Sequence, residues 1–270
     1  MRTFTDLVSA KWNEGKYLCV GLDPDLKKIP TSITGTPRER IVAFNKAIVD
    51  ATKDIVCAFK PNSAFYEAEG IEGWQALKDT CDYIYEAASD VPIILDAKRG
   101  DIGNTNEGYA RMAFDALRVD AITIQPYQGK EAFGPFLSRA DKGIIVLCKM
   151  SNAGSEEFQS LDVAGKPLYM HVAERVAAEW NTNGNCCLVV GATYPEELEQ
   201  VRAIASDIPL LIPGVGAQGG DLEATVRAAK GKMFINVSRA VLYASSNPDF
   251  AEAARAQALT YDGAIRAVLL

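Results

Sequence analysis

An apolar run passes directly into a cluster of charges in the stretch VPIILDAKRGD, residues 91–101. The run at residues 91–95 is rich in β-branched side chains and predicts a buried strand. Asp96 and Lys98 follow it, and on a continuing strand residues two apart share one face, about 6.6 Å apart. Charges at the end of a buried strand must be paired or carry function. The stretch therefore predicts a sheet whose strand ends carry chemistry, with a structural ion pair as the alternative.

Similar apolar runs recur along the chain and predict a total of eight strands. With residues 91–95, they occupy residues 17–21, 55–59, 121–124, 143–148, 186–190, 209–212 and 233–237. Amphipathic or alanine-rich segments between them predict helices at residues 37–52, 73–89, 106–117, 167–181, 195–206 and 221–229. Alternating strands and helices imply right-handed crossovers and a parallel sheet.

Eight such units in 270 residues favour an α/β fold with a single (β/α)8 barrel domain spanning residues 1–270. No linker-like or low-complexity stretch divides the chain. A doubly wound sheet is the alternative. It is disfavoured because the first strand is followed by GLDPD at residues 21–25, which is not a glycine-rich dinucleotide turn.

Composition narrows the class of function. A net charge of -7 disfavours a nucleic-acid surface, which needs clustered cations, and favours a small-molecule substrate. The six cysteines lie mostly in apolar runs without metal-site spacing, so we expect buried, reduced thiols. No segment is apolar enough for a signal peptide or a membrane span, which predicts a cytoplasmic protein with no membrane partner.

The one histidine, His171, lies in a predicted helix and is interpreted as a helix residue rather than a catalyst. A single histidine excludes a multi-histidine metal site or a histidine relay. It leaves a carboxylate-only magnesium site open.

Candidate site residues are the polar side chains at the predicted strand ends, because barrel active sites lie at the carboxyl ends of the strands. They are Asp23, Lys60, Asp96, Lys98, Asp101, Gln125, Lys149, Ser151, Ser238 and Arg239. After the seventh strand, the glycine-rich loop 213–220 precedes Arg239. Backbone N–H groups of such a loop and a bidentate guanidinium predict a phosphate site. The loop's glycines can also be explained by a tight turn that needs positive φ.

These residues resemble the orotidine 5'-phosphate decarboxylase family in its longer bacterial form, the type 2 subfamily. The family signature DAKRGDIGNT stands at residues 96–105. Weaker matches are VGLDP at 20–24, FKPN at 59–62, MSN at 150–152, the loop 213–220 and Arg239. The resemblance implies a barrel enzyme of pyrimidine biosynthesis that converts orotidine 5'-phosphate to uridine 5'-phosphate and CO2. It also implies that the enzyme uses neither a cofactor nor a metal.

The resemblance implies catalytic roles for four residues. Lys98 would stabilise the C6 carbanion and protonate it, and Asp96 would lie near the departing carboxylate. Lys60 and Asp101 would complete an alternating network of charges.

The resemblance also implies the substrate-binding residues. Lys60 and Asp23 would contact the ribose, Ser151 the pyrimidine, and Gln218 with Arg239 the 5'-phosphate. The loop after Ser151 would form a lid. Tyr243 stands one residue beyond the tyrosine of shorter members, so we leave it out of the phosphate site.

A shared active site is a further implication of the resemblance. Asp101, Ile102 and Thr105 would reach into the site of a neighbouring subunit, which makes the expected partner a second copy of the chain. The expected working unit is a homodimer.

Three other hypotheses about the function remain open. Magnesium-dependent sugar-phosphate enzymes of the same barrel share an Asp-x-Lys-x-x-Asp pattern, in which Asp96 and Asp101 would bind metal, but they lack the extension at residues 102–105. A Schiff-base aldolase needs a lysine of lowered pKa, which flanking carboxylates oppose. A nucleotide-binding barrel without catalysis would be expected to have lost part of the charged network.

Overall fold

Eight parallel strands form the centre of the computed structural model, which describes residues 2–215 and 220–270. We label them β1 Leu18–Leu22, β2 Ala58–Pro61, β3 Ile94–Arg99, β4 Ala121–Ile124, β5 Gly143–Lys149, β6 Cys186–Val190, β7 Leu210–Pro213 and β8 Met233–Val237. Neighbours follow the order β2-β1-β8-β7-β6-β5-β4-β3. Parallel bridges from Phe59 to Ile93 and from Asn62 to Asp96 join the two ends of this order. The sheet therefore closes, and the predicted (β/α)8 barrel is confirmed.

Helices connect and cover the strands. They are α1 Phe4–Asn13, α2 Pro37–Thr52, α3 Ser63–Glu67, α4 Gly70–Ala87, α5 Gly103–Ala110, α6 Gly134–Leu137, α7 Leu168–Arg175, α8 Pro195–Ala205, α9 Leu222–Ala229, α10 Arg239–Leu242 and α11 Phe250–Leu269. One π-helical turn, Arg111–Ala116, extends α5, and another, Val176–Trp180, extends α7. No helix within residues 2–215 and 220–270 is long and apolar enough to cross a membrane.

The helix α2 shows why its bounds could be read from the sequence. The Thr36 side chain accepts a hydrogen bond from the Glu39 amide, and the Glu39 carboxylate accepts one from the Thr36 amide. This capping box, with Pro37 in the first turn, fixes the start of the helix. Strands β4, β6 and β8 also have their predicted bounds, whereas β2 and β3 begin three residues later than predicted.

Small and aliphatic side chains, together with Phe4 and Phe234, fill the interior of the barrel. The inner cluster includes Cys19, Cys57 and Cys187 together with Phe234, and the side chains of α1 close it at the amino ends of the strands. Trp12 of α1 lies against the Phe234 ring at 5.2 Å, and its indole N–H donates to the Met233 carbonyl. All six cysteines are buried and free within the described chain, which confirms their predicted role in the core.

The helix α7 leaves His171 partly buried. Its Nε2 lies 2.7 Å from the Val163 carbonyl, in a short hairpin formed by Asp162–Val163 and Lys166–Pro167. The interpretation of His171 as a helix residue is confirmed.

Candidate active site

A cavity of about 300 Å³ opens at the carboxyl ends of the barrel strands. Apolar side chains of the barrel interior form part of its wall: Leu147, Met150, Val189 and Leu211. Its polar lining consists of Asp23, Lys60, Asn62, Asp96, Lys98, Ser151, Asn152, Asn236, Ser238 and Arg239. Seven candidate residues predicted at strand ends therefore meet in one cavity of one chain, namely Asp23, Lys60, Asp96, Lys98, Ser151, Ser238 and Arg239.

The carboxylate of Asp96 is the centre of the charged cluster and is only 9% exposed. Its Oδ1 accepts hydrogen bonds from Lys98 Nζ at 2.6 Å and from the Thr123 hydroxyl at 2.9 Å. Its Oδ2 accepts one from Lys60 Nζ at 3.1 Å and a longer one from Asn62 at 3.5 Å. Both oxygens thus have a cationic partner.

These contacts fix the charge state of the cluster. Burial would raise the pKa of Asp96, but the charges of Lys60 and Lys98 outweigh burial and hold this pKa well below its usual value. For Lys60, burial would lower the pKa, but Asp96 and Asp23 outweigh it and raise the pKa above the usual value. Asp96 and Lys60 are therefore both ionised at neutral pH.

A break in strand geometry presents Lys98 to the cavity. Pairing of β3 with β4 shifts register between Leu95 and Arg99, and Lys98 has a φ of 47°. The Thr123 hydroxyl accepts a hydrogen bond from the Lys98 amide at 2.9 Å while it donates to Asp96. The predicted contact between Asp96 and Lys98 is thus present, but it is made through a bulge rather than through a regular strand.

Asp23 lines the cavity at the end of β1, two strands away from Asp96. Its Oδ2 accepts a hydrogen bond from the Ser238 hydroxyl at 2.6 Å. Its Oδ1 is buried and has no hydrogen-bond partner among the described residues, and the same holds for Oδ1 of Asn236. Two acceptor atoms in the cavity wall are therefore available for donors of a ligand.

Tyr243 lies behind this wall. Its hydroxyl donates to the Asp23 carbonyl at 2.9 Å and accepts from the Asp25 amide at 2.7 Å. Its ring stacks on Phe44, and burial raises its pKa to about 12. Tyr243 is not among the described residues that line the cavity. It supports the loop after β1.

Two polar residues at predicted strand ends do not line the cavity, so their inclusion as site residues was wrong. Gln125 hydrogen-bonds with Gln128 at 2.8 Å. Lys149 is buried and contacts the loop after β5. In both cases, position at a strand end did not fix the direction of the side chain.

Three residues expected at a shared site lie outside the cavity of this chain. Asp101 is partly buried and caps a local turn, with its carboxylate accepting from the Ile102 amide at 2.8 Å. Ile102 is 65% exposed, and Thr105 is also exposed. Gln218, the remaining predicted residue, lies outside the described residues.

The predicted site omitted Asn62, Thr123 and Asn236. Asn62 directly follows β2, so its position could have indicated it. Thr123 and Asn236 lie inside apolar strands and gave no such signal; only their pairing with neighbouring strands places them at the site.

A closed barrel with a buried carboxylate between two lysines at its carboxyl end defines an enzyme-like site for a small anionic molecule. The sequence profile of the Orotidine 5'-phosphate decarboxylase / HUMPS family matches residues 16–256, and the chain belongs to this family. This confirms the resemblance seen in the sequence.

Individual relatives cover almost the whole chain. The chain is 54% identical over 268 residues to an orotidine 5'-phosphate decarboxylase of Janthinobacterium sp. (strain Marseille), covering 97% of this chain and 98% of the relative. A Ralstonia pickettii (strain 12J) relative of the same name is 54% identical over 261 residues, or 95% of each chain. The solved structure of Leishmania donovani OMP decarboxylase is similar at a TM-score of 0.84 and 39% identity, over 98% of this chain and 99% of that one.

Proposed function

We propose that this protein decarboxylates orotidine 5'-phosphate to uridine 5'-phosphate and CO2 in pyrimidine biosynthesis, with Lys98 as the central catalytic residue. Family membership and the named relatives support the reaction. The observation that supports the mechanism is the Lys98 ammonium group, which lies in the cavity 2.6 Å from the ionised Asp96.

The difficult step leaves an electron pair at C6 of the pyrimidine when CO2 departs. An ammonium group close to C6 stabilises this charge and then transfers a proton to it, which completes uridine 5'-phosphate. The lysine regains its proton from solvent. Two unit charges 4 Å apart interact by about 4 kcal/mol at an effective dielectric of 20, which corresponds to roughly 10³-fold in rate. Asp96 supports the step by fixing the ammonium group before substrate binds.

Substrate binding uses the rest of the cavity wall. The unpartnered buried Oδ1 of Asp23 suits a ribose hydroxyl. Lys60, which interacts with both Asp23 and Asp96, would contact the ribose as well. Ser151 would contact the pyrimidine, and Arg239, exposed at the cavity, would bind the 5'-phosphate. Because the phosphate is remote from C6, its binding energy can orient the ring for the reaction.

The donor set around Asp96 distinguishes this reaction from magnesium-dependent sugar-phosphate chemistry. Both carboxylate oxygens already accept hydrogen bonds from ammonium groups. A magnesium ion would have to displace these cations and would be repelled by them. Asp101, the second ligand of that alternative, is not among the described residues of the cavity.

The assembly that we propose is a cytoplasmic homodimer with shared sites. Asp101, Ile102 and Thr105 lie on the rim beyond β3, away from the cavity of their own chain. Ile102 is 65% exposed, so its side chain is accessible to a second copy. The free thiols suit a reducing compartment.

The test is the fall in ultraviolet absorbance of orotidine 5'-phosphate with purified protein, measured with and without EDTA. We expect equal turnover in both, and loss of turnover in Lys98→Ala with folding and nucleotide binding retained. Turnover only with magnesium would favour the sugar-phosphate chemistry. Full activity of Lys98→Ala would remove this residue from the proposed mechanism.

A further inference from the structure

Lys149 ends β5 but its side chain leaves the barrel interior. Ile145 and Leu147 pack with the inner cluster, so simple alternation would place Lys149 there too. Instead, the pairing of β5 with β6 shifts register between Leu147 and Lys149, and Met150 takes the inward position. The bulge thus turns a lysine outward and sets Met150 and Ser151 in the cavity wall.

The ammonium group of Lys149 is buried against the loop that follows the strand. Its side chain is 1% exposed. Nζ donates to the Ser155 hydroxyl at 3.0 Å, to the Glu156 carboxylate at 2.7 Å and to the Ser160 hydroxyl at 3.0 Å. Three loop residues therefore converge on one cation.

A second set of contacts fixes this cation to the body of the barrel. The carboxylate of Glu197, in the first turn of α8, lies 3.7 Å from Nζ. The rings of Tyr169 and Tyr194 lie 5.9 Å and 5.6 Å from it. A buried ammonium group is costly unless it is paired. Undocking residues 155–160 would leave Lys149 with Glu197 and two aromatic faces, so loop docking and the pairing of Lys149 are energetically coupled.

The same loop holds the backbone that precedes Ser151. The Gln159 side chain accepts a hydrogen bond from the Met150 amide at 2.7 Å. On the other side, the Gly191 amide donates to the Lys149 carbonyl at 2.8 Å, and the Thr193 hydroxyl donates to the Ser151 carbonyl at 3.3 Å. The position of Ser151 therefore depends on residues 155–160, which Lys149 fixes.

We propose that Lys149 is a positioning residue for the decarboxylation, which sets Ser151 in the cavity by fixing residues 155–160 against β5. The inference rests on the proposed function, in which Ser151 contacts the pyrimidine. Lys149 itself touches no substrate; it acts through the loop and through the backbone of residues 150–152.

The first test is Lys149→Met, which keeps the length of the side chain and removes the charge. We expect kcat to fall by about 10²-fold, the loss typical of a 1 Å misplacement of a positioned group. KM should change much less, because Asp23, Lys60 and Arg239 are untouched. A second variant, Ser155→Ala with Ser160→Ala, keeps the lysine and removes two loop contacts. It should lower kcat in the same way, and it decides the question if Lys149→Met does not fold.

The matched control is Lys11→Met. Lys11 is also buried, at 2% exposure, and pairs with Asp90, but it lies in α1 at the other end of the barrel. Its removal should lower stability and leave kcat unchanged. An equal loss of kcat in Lys11→Met would mean that losing any buried lysine impairs the enzyme, and would refute a specific role for Lys149.

The decisive test combines Lys149→Met with Ser151→Ala. If Lys149 acts through Ser151, the second substitution adds little to the first, whereas independent effects would multiply and refute the inference. Full activity of Lys149→Met beside an impaired Ser151→Ala would refute the inference alone. An unimpaired Ser151→Ala would refute both the pyrimidine contact and the inference built on it. Absence of turnover in the unmodified protein would refute the proposed function.

Discussion

The backbone of Lys98 predicts that two inactive variants differ in stability. With a φ of 47°, Lys98 occupies the left-handed region, which costs a residue with a Cβ atom about 1–2 kcal/mol. Glycine avoids this cost but loses about 0.5–1 kcal/mol through its greater freedom in the unfolded chain. The balance makes Lys98→Gly more stable than Lys98→Ala by roughly 1 kcal/mol.

The comparison isolates the backbone because both variants lose the ammonium group and its contact with Asp96. For a chain of this size, the difference corresponds to a Tm higher by about 2–4 °C in Lys98→Gly. Thermal unfolding followed by circular dichroism measures it. Ala97→Gly is the control. Ala97 precedes Lys98 in β3 and is not among the residues of positive φ, so this substitution should lower the Tm of the protein. If the Tm of Lys98→Ala were equal to or above that of Lys98→Gly, the claim that the backbone is strained at Lys98 would be refuted.

Three further predictions concern charge. Arg239→Ala should reduce kcat/KM for orotidine 5'-phosphate by about 10- to 10²-fold, as expected for a lost charge-assisted hydrogen bond; an equal loss with the unphosphorylated nucleoside would contradict the phosphate assignment. Asp96→Asn removes the carboxylate that hydrogen-bonds buried Lys60 and leaves it only the more weakly interacting Asp23, so it should cost about 3 kcal/mol at pH 7. Because the folded state depresses the pKa of Asp96, its contribution to stability is complete above about pH 5 and declines as pH falls further. The urea midpoints of the two proteins should therefore converge in acid, and a constant gap would refute the depressed pKa. Mixed Asp101→Ala and Lys98→Ala subunits should recover activity that neither has alone, and no recovery would count against shared sites.

The barrel could be predicted from the sequence because its elements are marked locally. Strands buried on both faces appear as short apolar runs, and the residues between them repeat with helical periodicity. Strand β6 and helix α2 have the predicted bounds for this reason. The helices α1 and α11 were not predicted, because helices were predicted only between strands. The helix α1 precedes the first strand, and α11 follows the last one.

For the candidate site, the sequence predicted which residues lie at strand ends but not the direction in which each side chain points. The sequence pattern indicated Asp96 and Lys60, and the structure places them in contact. It did not indicate the bulge that turns Lys98 inward or the bulge that turns Lys149 outward. A register shift depends on pairing with a neighbouring strand, which is a non-local property. For the same reason, Thr123 could not be recognised as a partner of Asp96.

The closure of the barrel floor by α1 has a kinetic consequence. Phe4 and Val8 fill the amino end of the barrel, and Gly143 has no room for a Cβ, which would lie 2.5 Å from the Phe4 ring. A ligand cannot pass along the barrel axis at this end. Substrate and product therefore both use the opening of the cavity beside Arg239. The product nucleotide must leave through this opening before the next substrate molecule can bind. Uridine 5'-phosphate should accordingly act as a competitive inhibitor, and saturating substrate should abolish its inhibition.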